Sequence, residues 1–324
     1  MGTFFVRLTE NLLNYRRRKQ WRRKEKKAKS RIPFFLRVLG EFLWAAVFVL
    51  LINQFFLQAY VIPSGSMLPV FQLQDRIFVN KFIFGPELLP GMLKIPRLRD
   101  PRRGEIVIFE NPSYVHKGPL FTMLQRIIYM VTLSFVDIDR DENGRPKAQL
   151  LVKRVVACEG DRMRYREGKW QILPSGTETW LDEEMFMREN GYPYEVQRLF
   201  SSETIQKSKE SGRVAARIQN NVALNAMQEE NLTALRNLRM FDPQAFEQGV
   251  AEESFRLYPE NKKISEHYRI TQSGWYVSEG RFLPLGDNRD NSRDGRYFGS
   301  VPMKNILGSA WLRYWPFSRA GVLQ

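Results

Sequence analysis

The chain holds one cysteine, Cys158, and only two histidines, His116 and His267. A lone thiol excludes an intrachain disulfide in any redox compartment. The surrounding "VVACEG" reads as a small, buried apolar position without neighbours at metal-ligand spacing. The histidines lie far apart in polar sequence with no H-x-x-x-H partner, which argues against zinc. No metal and no cofactor are expected. Scarce histidine also limits serine chemistry, because a Ser-His-Asp relay would need His116 or His267 beside a G-x-S-x-G elbow. No internal repeat is present either.

Acidic residues are nearly missing from one region. Residues 1–37 carry thirteen Lys/Arg, including "RRRKQWRRKEKKAK", against Glu10 and Glu25, which accounts for +11 of the chain's net +15. A nucleic-acid binder spreads such charge over a folded face; here it forms a tail, so nucleic acid is not an expected partner. The tail is followed by an uninterrupted apolar run, "FLWAAVFVLLI" (42–52). Carried on through "NQFFLQAYVI" to Ile62, the run reaches 21 residues, broken only by Asn53, Gln54 and Gln58. About 20 residues cross a hydrocarbon core. A core helix remains open as an alternative because of the three amides, and a cleaved signal peptide fits poorly. Positive charge before the run holds the tail in the cytoplasm and sends the rest outward. The reading is a basic cytoplasmic tail (1–37), a single-pass signal anchor in membrane lipid (38–62) and an extracytoplasmic C-terminal region.

Beyond Ser66, "RIFVNKFIF" (76–84), "GEIVIFE" (104–110), "AQLLVKRVVA" (148–157) and "GWYVSEGRFLPLG" (274–286) read as strands. The expected fold is mainly β, an antiparallel domain built from 63–180 and 262–324. A polar segment with helical pattern, 181–261, is inserted into it. Leu120 to Val136 is apolar but short for a span and carries Gln125 and Arg126. A crossing there would put residues 66 and 153 on opposite sides, so it reads as a helix on the membrane surface or packed on the β domain.

The stretch "AYVIPSGSMLPVF" (59–71) sets Ser64 and Ser66 around Gly65 in a proline-flanked turn just after the apolar run. In "LLVKRVV", alternation puts Lys153 on the strand face of Leu151 and Val155. A lysine so placed either snorkels to water or is desolvated, and desolvation can make it a general base near neutrality. From the residues alone an ordinary edge lysine is the stronger reading. Alternation turns Arg154 to the opposite face, which makes Arg154→Lys a control expected to keep substantial activity.

Four stretches in order change that weighting: "PSGSMLP" (63–69) after the span, "RGEIVIFENP" (103–112), "KRVVACEGD" (153–161) and "LGDNRDNSRDGRYFG" (285–299). Together they resemble the type I signal peptidases, membrane-bound Ser/Lys proteases that remove signal peptides from exported proteins. The resemblance covers the β core and not the tail, residues 113–147 or the insertion. It implies Ser66 as nucleophile and Lys153 as general base. It also implies an oxyanion hole of Ser64 Oγ and the Ser66 N–H, and Ser292 as the group that orients the lysine. Asp287, Arg289, Asp294 and Arg296 match bracing charges, and Tyr60, Ile62, Met67, Leu151 and Val152 match pockets for small P1 and P3 side chains. Val70, Glu105, Ala157, Glu159, Gly295 and Phe298 depart from the usual pattern without removing a catalytic group. The implied partners are signal peptides of secreted preproteins, with the export translocon nearby in a bacterial inner membrane.

Other readings fare worse on the residues. A β-lactamase-type Ser-x-x-Lys fails, since Met67 and Pro69 occupy the lysine positions after Ser64 and Ser66. Repressor-type Ser/Lys proteases lack an anchor. A non-enzymatic membrane scaffold would keep its role when Ser66 becomes alanine.

Overall fold

A computed structural model describes residues 17–22, 33–89, 93–114, 149–192, 194–224 and 241–323, with isolated residues elsewhere. Two compact units divide at Asn53 and Gln54.

Helix α1, Phe34–Phe55, belongs largely to the first unit. Of the described helices it alone is long and apolar enough to cross a membrane, and none of its described side chains is buried. The apolar run was expected to stay in one span to Ile62. It does not: Leu57–Val61 is a strand, β1, paired antiparallel with β2, Arg76–Asn80. "FFLQAYVI" suits either conformation locally, and pairing with β2 decides for the strand.

The second unit is built on antiparallel sheets. Its remaining strands are β3 (Glu87–Leu89), β4 (Leu93–Lys94), β5 (Ile106–Glu110), β6 (Leu150–Ala157), β7 (Arg162–Arg166), β8 (Lys169–Leu173), β9 (Leu181–Asp182), β10 (Trp275–Tyr276), β11 (Arg281–Leu285), β12 (Val301–Pro302), β13 (Ile306–Trp315) and β14 (Gly321–Val322). The main sheet runs β1-β2-β13-β5-β6-β11-β12, with β14 on β13, and β10-β7-β8-β9 forms a second sheet. Strands β5 and β6, "IVIFE" and "LLVKRVVA", are rich in branched aliphatics that fill a pleated surface. Both lie deep in the main sheet, and their register places Val107 opposite Lys153. The ten-residue β13 joins β2 to β5 and was not foreseen. Its "ILGSAWLRYW" mixes glycine, serine and exposed tryptophans, which hides the alternation.

The insertion is helical over α2 (Glu183–Glu189), α3 (Ser202–Gln219), α4 (Pro243–Leu257) and α5 (Lys262–Ser273), so helix continues past the expected boundary at 261. Helices α3 and α4 meet at Gly212 and Gly249. A Cβ on either would come 2.0 Å from a backbone oxygen of the other helix, so only glycine allows this approach. Asp182, Ser201, Asp242 and Asn261 each accept N–H bonds at the N-caps. The apolar segment 120–136 lies largely outside the described residues.

Candidate active site

Ser66 sits in a single 3-10 turn, Gly65–Met67, between β1 and β2. Lys153 lies in β6, with β5 on one side and β11 on the other. Their side chains meet: Lys153 Nζ donates to Ser66 Oγ at 2.5 Å. Both are buried, at 3% exposure for Lys153 and 8% for Ser66. Burial in this setting pushes the lysine down from its ordinary value to about 8, against the opposing pull of Asp294 and Asp287. A substantial neutral fraction therefore exists near pH 8, and a neutral amine 2.5 Å from a hydroxyl is placed to take its proton.

Ser64 Oγ stands 3.4 Å from Ser66 Oγ, on the exposed side of the turn. Ser292 is brought close but does not engage the lysine. No hydrogen bond joins its buried hydroxyl to Lys153. It presses on Gly286 instead, where an added Cβ would fall 2.2 Å from Ser292 Oγ and 2.6 Å from the Ser66 carbonyl oxygen.

The charged loop after β11 folds on itself. Asp294 accepts from Gly286 N–H at 2.9 Å, caps the short helix α6 (Gly295–Phe298) and pairs with Arg296 through both carboxylate oxygens, at 2.8 and 3.0 Å. Burial raises the Asp294 carboxyl, but Arg296 and the hydrogen bonds it accepts, the Gly286 N–H among them, together outweigh it and the net shift is downward. Arg289 donates to the Gly286 carbonyl at 2.8 Å and forms a fully buried ion pair with Glu183 at the start of α2. Tyr194 donates to the same Glu183. Neither Glu183 nor Tyr194 carried a signal in the sequence.

Arg154 proves not to be a neutral neighbour. It is 4% exposed and binds Asp287 through two bonds of 2.8 and 2.6 Å. It also donates to the Gly104 carbonyl at 2.6 Å and lies 4.3 Å from the Tyr194 ring centre. Lysine cannot reproduce this fork, so Arg154→Lys is not the harmless control that alternation suggested. Alternation told which way the side chain points, not what waits there.

Of the pocket candidates, Tyr60, Ile62, Met67 and Val152 share one apolar cluster with Phe71 and Ile77. Ile62 and Met67 are 2% and 1% exposed, so they form a floor beneath any groove. Leu151 packs apart from them, with Phe109, Val155 and Phe282. Asn288, unmarked by the sequence reading, holds the Ser66 turn: its N–H donates to the Ser66 carbonyl at 3.1 Å and its Nδ2 to the Gly65 carbonyl at 3.0 Å. Cys158 is half buried rather than enclosed, and burial pushes its thiol up to about 12. His267 is exposed on α5, and His116 lies outside the described residues. Among the described residues no group of three or more His, Cys, Asp or Glu could hold a metal.

A serine hydroxyl held against a buried amine, with no histidine beside it among the described residues, is an arrangement suited to acyl transfer. The model of one family, signal peptidase, peptidase S26, matches residues 35–315, and the chain belongs to that family. It is similar to the signal peptidase I of Buchnera aphidicola subsp. Schizaphis graminum, at 26% identity over 290 residues, covering 86% of this chain and 76% of that protein. The signal peptidase I of Buchnera aphidicola subsp. Acyrthosiphon pisum is 27% identical over 297 residues, covering 90% and 78%. A crystal structure of a signal peptidase I from Enterococcus faecalis V583 covers 65% of this chain and 97% of its own, at 18% identity with a TM-score of 0.23, a superposition too loose to carry an argument. The family match, together with α1, fits a membrane-anchored peptidase.

Proposed function

We propose that the protein is a membrane-bound serine endopeptidase that removes N-terminal signal peptides from exported preproteins, cutting after small residues in Ala-x-Ala fashion. Ser66 is the nucleophile and Lys153 the general base. The observation that carries this reading is the 2.5 Å bond between Lys153 Nζ and Ser66 Oγ in a buried setting.

In its neutral form Lys153 takes the proton from Ser66 Oγ as the oxygen attacks the scissile carbonyl. The ammonium then gives that proton to the leaving amine; in the second half neutral Lys153 takes a proton from the attacking water and returns it to Ser66 Oγ as the acyl–oxygen bond breaks. The Ser66 N–H and the Ser64 hydroxyl supply the oxyanion hole. Tyr60, Ile62, Met67 and Val152 support pockets for small side chains; Leu151, in another cluster, contributes less directly. Asp287, Arg289, Asp294 and Arg296 brace the loop.

The basic tail is cytoplasmic, α1 is the anchor, and the β unit lies outside the cytoplasm. The anchor helix ends at Phe55, and the eleven residues from there to Ser66 reach ~40 Å at most when extended. The tether keeps the serine near the bilayer, where a preprotein's cleavage site leaves the translocon just beyond its own apolar helix.

The test incubates detergent-solubilised protein with a preprotein whose signal ends in Ala-x-Ala and sequences the new N-terminus. Wild type should cut after the terminal small residue, and Ser66→Ala should abolish the cut while leaving the melting temperature nearly unchanged. Cleavage by Ser66→Ala within a few-fold of wild type would refute the nucleophile assignment. Ser64→Ala should lower kcat by roughly 10²–10³, the usual cost of one oxyanion donor. An effect confined to KM would make Ser64 a binding residue only.

A further inference from the structure

One short stretch of the insertion, residues 197–200, grips the loop beside the Ser66 turn. Gln197 N–H donates to the Asp287 carbonyl at 2.9 Å, and the Gln197 carbonyl accepts from Arg289 N–H at 3.1 Å. Asp290 is gripped from the same stretch. Its buried carboxylate meets Arg198 Nε at 3.0 Å, accepts from Phe200 N–H at 3.0 Å and also accepts from Leu199 N–H. Arg198 is in turn fixed by Asp242, the N-cap of α4, at 2.9 Å and by the Gly168 carbonyl at 2.7 Å. Between the clamped residues sits Asn288, which holds the Ser66 and Gly65 carbonyls. Hydrogen bonds from the insertion to residues 287, 289 and 290, and the main chain joining these to Asn288, thus connect the insertion helices to the backbone of Ser66.

Exposed ion pairs contribute little to stability, but the Asp290 side chain is only 3% exposed and satisfies three donors at once. Removing it orphans those donors and frees the loop that carries Asn288. The Ser66–Lys153 contact depends on where that loop holds the turn, and small misplacements of reacting groups are costly.

We propose that residues 197–200 of the insertion are a positioning element for the nucleophile, acting through Asp290 and then Asn288. The insertion then serves turnover itself, not only stability or partner binding. This rests on Ser66 being the nucleophile.

The test is a double-mutant cycle in the full-length, detergent-solubilised protein. It measures kcat and KM on the Ala-x-Ala preprotein, scaled to the folded fraction from circular dichroism. Asp290→Ala should lower kcat by roughly 10- to 100-fold with KM nearly unchanged. Asp290→Asn, which keeps an acceptor for the two N–H groups, should restore most of kcat. Asn288→Ala removes the Nδ2 bond to the Gly65 carbonyl and keeps the main-chain bond to Ser66, so in that background Asp290→Ala should cost clearly less than in wild type, because part of the shared path is already cut. A wild-type kcat per folded molecule for Asp290→Ala, or effects that multiply in full, would overturn the proposal. If Asp290→Ala does not fold, Arg198→Ala, which leaves both N–H groups their acceptor, takes its place with the same two outcomes. Ser66→Ala run in parallel separates the claims. Activity retained there defeats the nucleophile reading, whereas its loss beside an unaffected Asp290→Ala defeats this inference alone.

Discussion

Replacing Lys153 by methionine should abolish cleavage and raise stability at neutral pH. The lysine is buried and its folded value lies near 8, below the ordinary 10.5. Below pH 8 both the folded and unfolded chains carry the proton, so the fold bears the whole cost of burying an ammonium. Between about 8 and 10.5 the unfolded chain holds the proton and the fold does not, so the cost fades as pH rises. A shift of this size corresponds to about 3 kcal/mol, and losing the bond to Ser66 returns about 1 kcal/mol. Lys153→Met should therefore gain roughly 1–3 kcal/mol at pH 7, and the gain should vanish by about pH 10.5. Lys153→Arg should be equally inactive, since arginine stays charged, but without any gain in stability. Thermal melts at pH 7 and pH 10 with cleavage assays decide it. A destabilised Lys153→Met at pH 7 would mean that the lysine is there for structure, and near-normal cleavage by Lys153→Arg would mean that a charge suffices at 153.

The second large effect is expected at Gly286. Its backbone is not left-handed, so the residue is not there for conformational freedom. Space is the reason. A methyl group would fall 2.2 Å from Ser292 Oγ, 2.6 Å from Ser292 Cβ and 2.6 Å from the Ser66 carbonyl oxygen, and two of these three atoms are backbone or backbone-proximal. Relief must come from moving the Ser66 turn, the Ser292 segment or both. Gly286→Ala should lower kcat by roughly 10² or more through misplacement and cost about 1–3 kcal/mol as an overpacked core. Measured kcat within a few-fold of wild type would show that the loop can give way without disturbing Ser66.

How much of this was legible beforehand depended on whether the deciding partner was local. The strands β5 and β6 showed themselves because their branched aliphatics are contiguous. The residues Ser66 and Lys153 stood out through short motifs, and the structure brings them together. The end of α1 was missed because Leu57–Val61 becomes a strand only by pairing with Arg76–Asn80. Strand β13 was missed because its glycine and its exposed tryptophans mask the period. Glu183, Gln197 and Asn288 could not be singled out, since each acts on a residue 90 or more positions away or through its main chain, and Tyr194 matters only through its partner Glu183. Arg154 shows the limit of alternation: its face was given, its buried carboxylate partner was not. The expected hydrogen bond from Ser292 to Lys153 is not made, although Ser292 lies beside the Ser66 turn.

The pH dependence of kcat/KM on the Ala-x-Ala preprotein tests most directly whether a neutral Lys153 activates Ser66. The loss of one proton from the free enzyme should bring activity up, with an ascending limb centred near pH 8. A limb centred near the ~6.5 of histidine, or a flat profile through pH 8, would contradict the account and send the search for the base to His116 and His267.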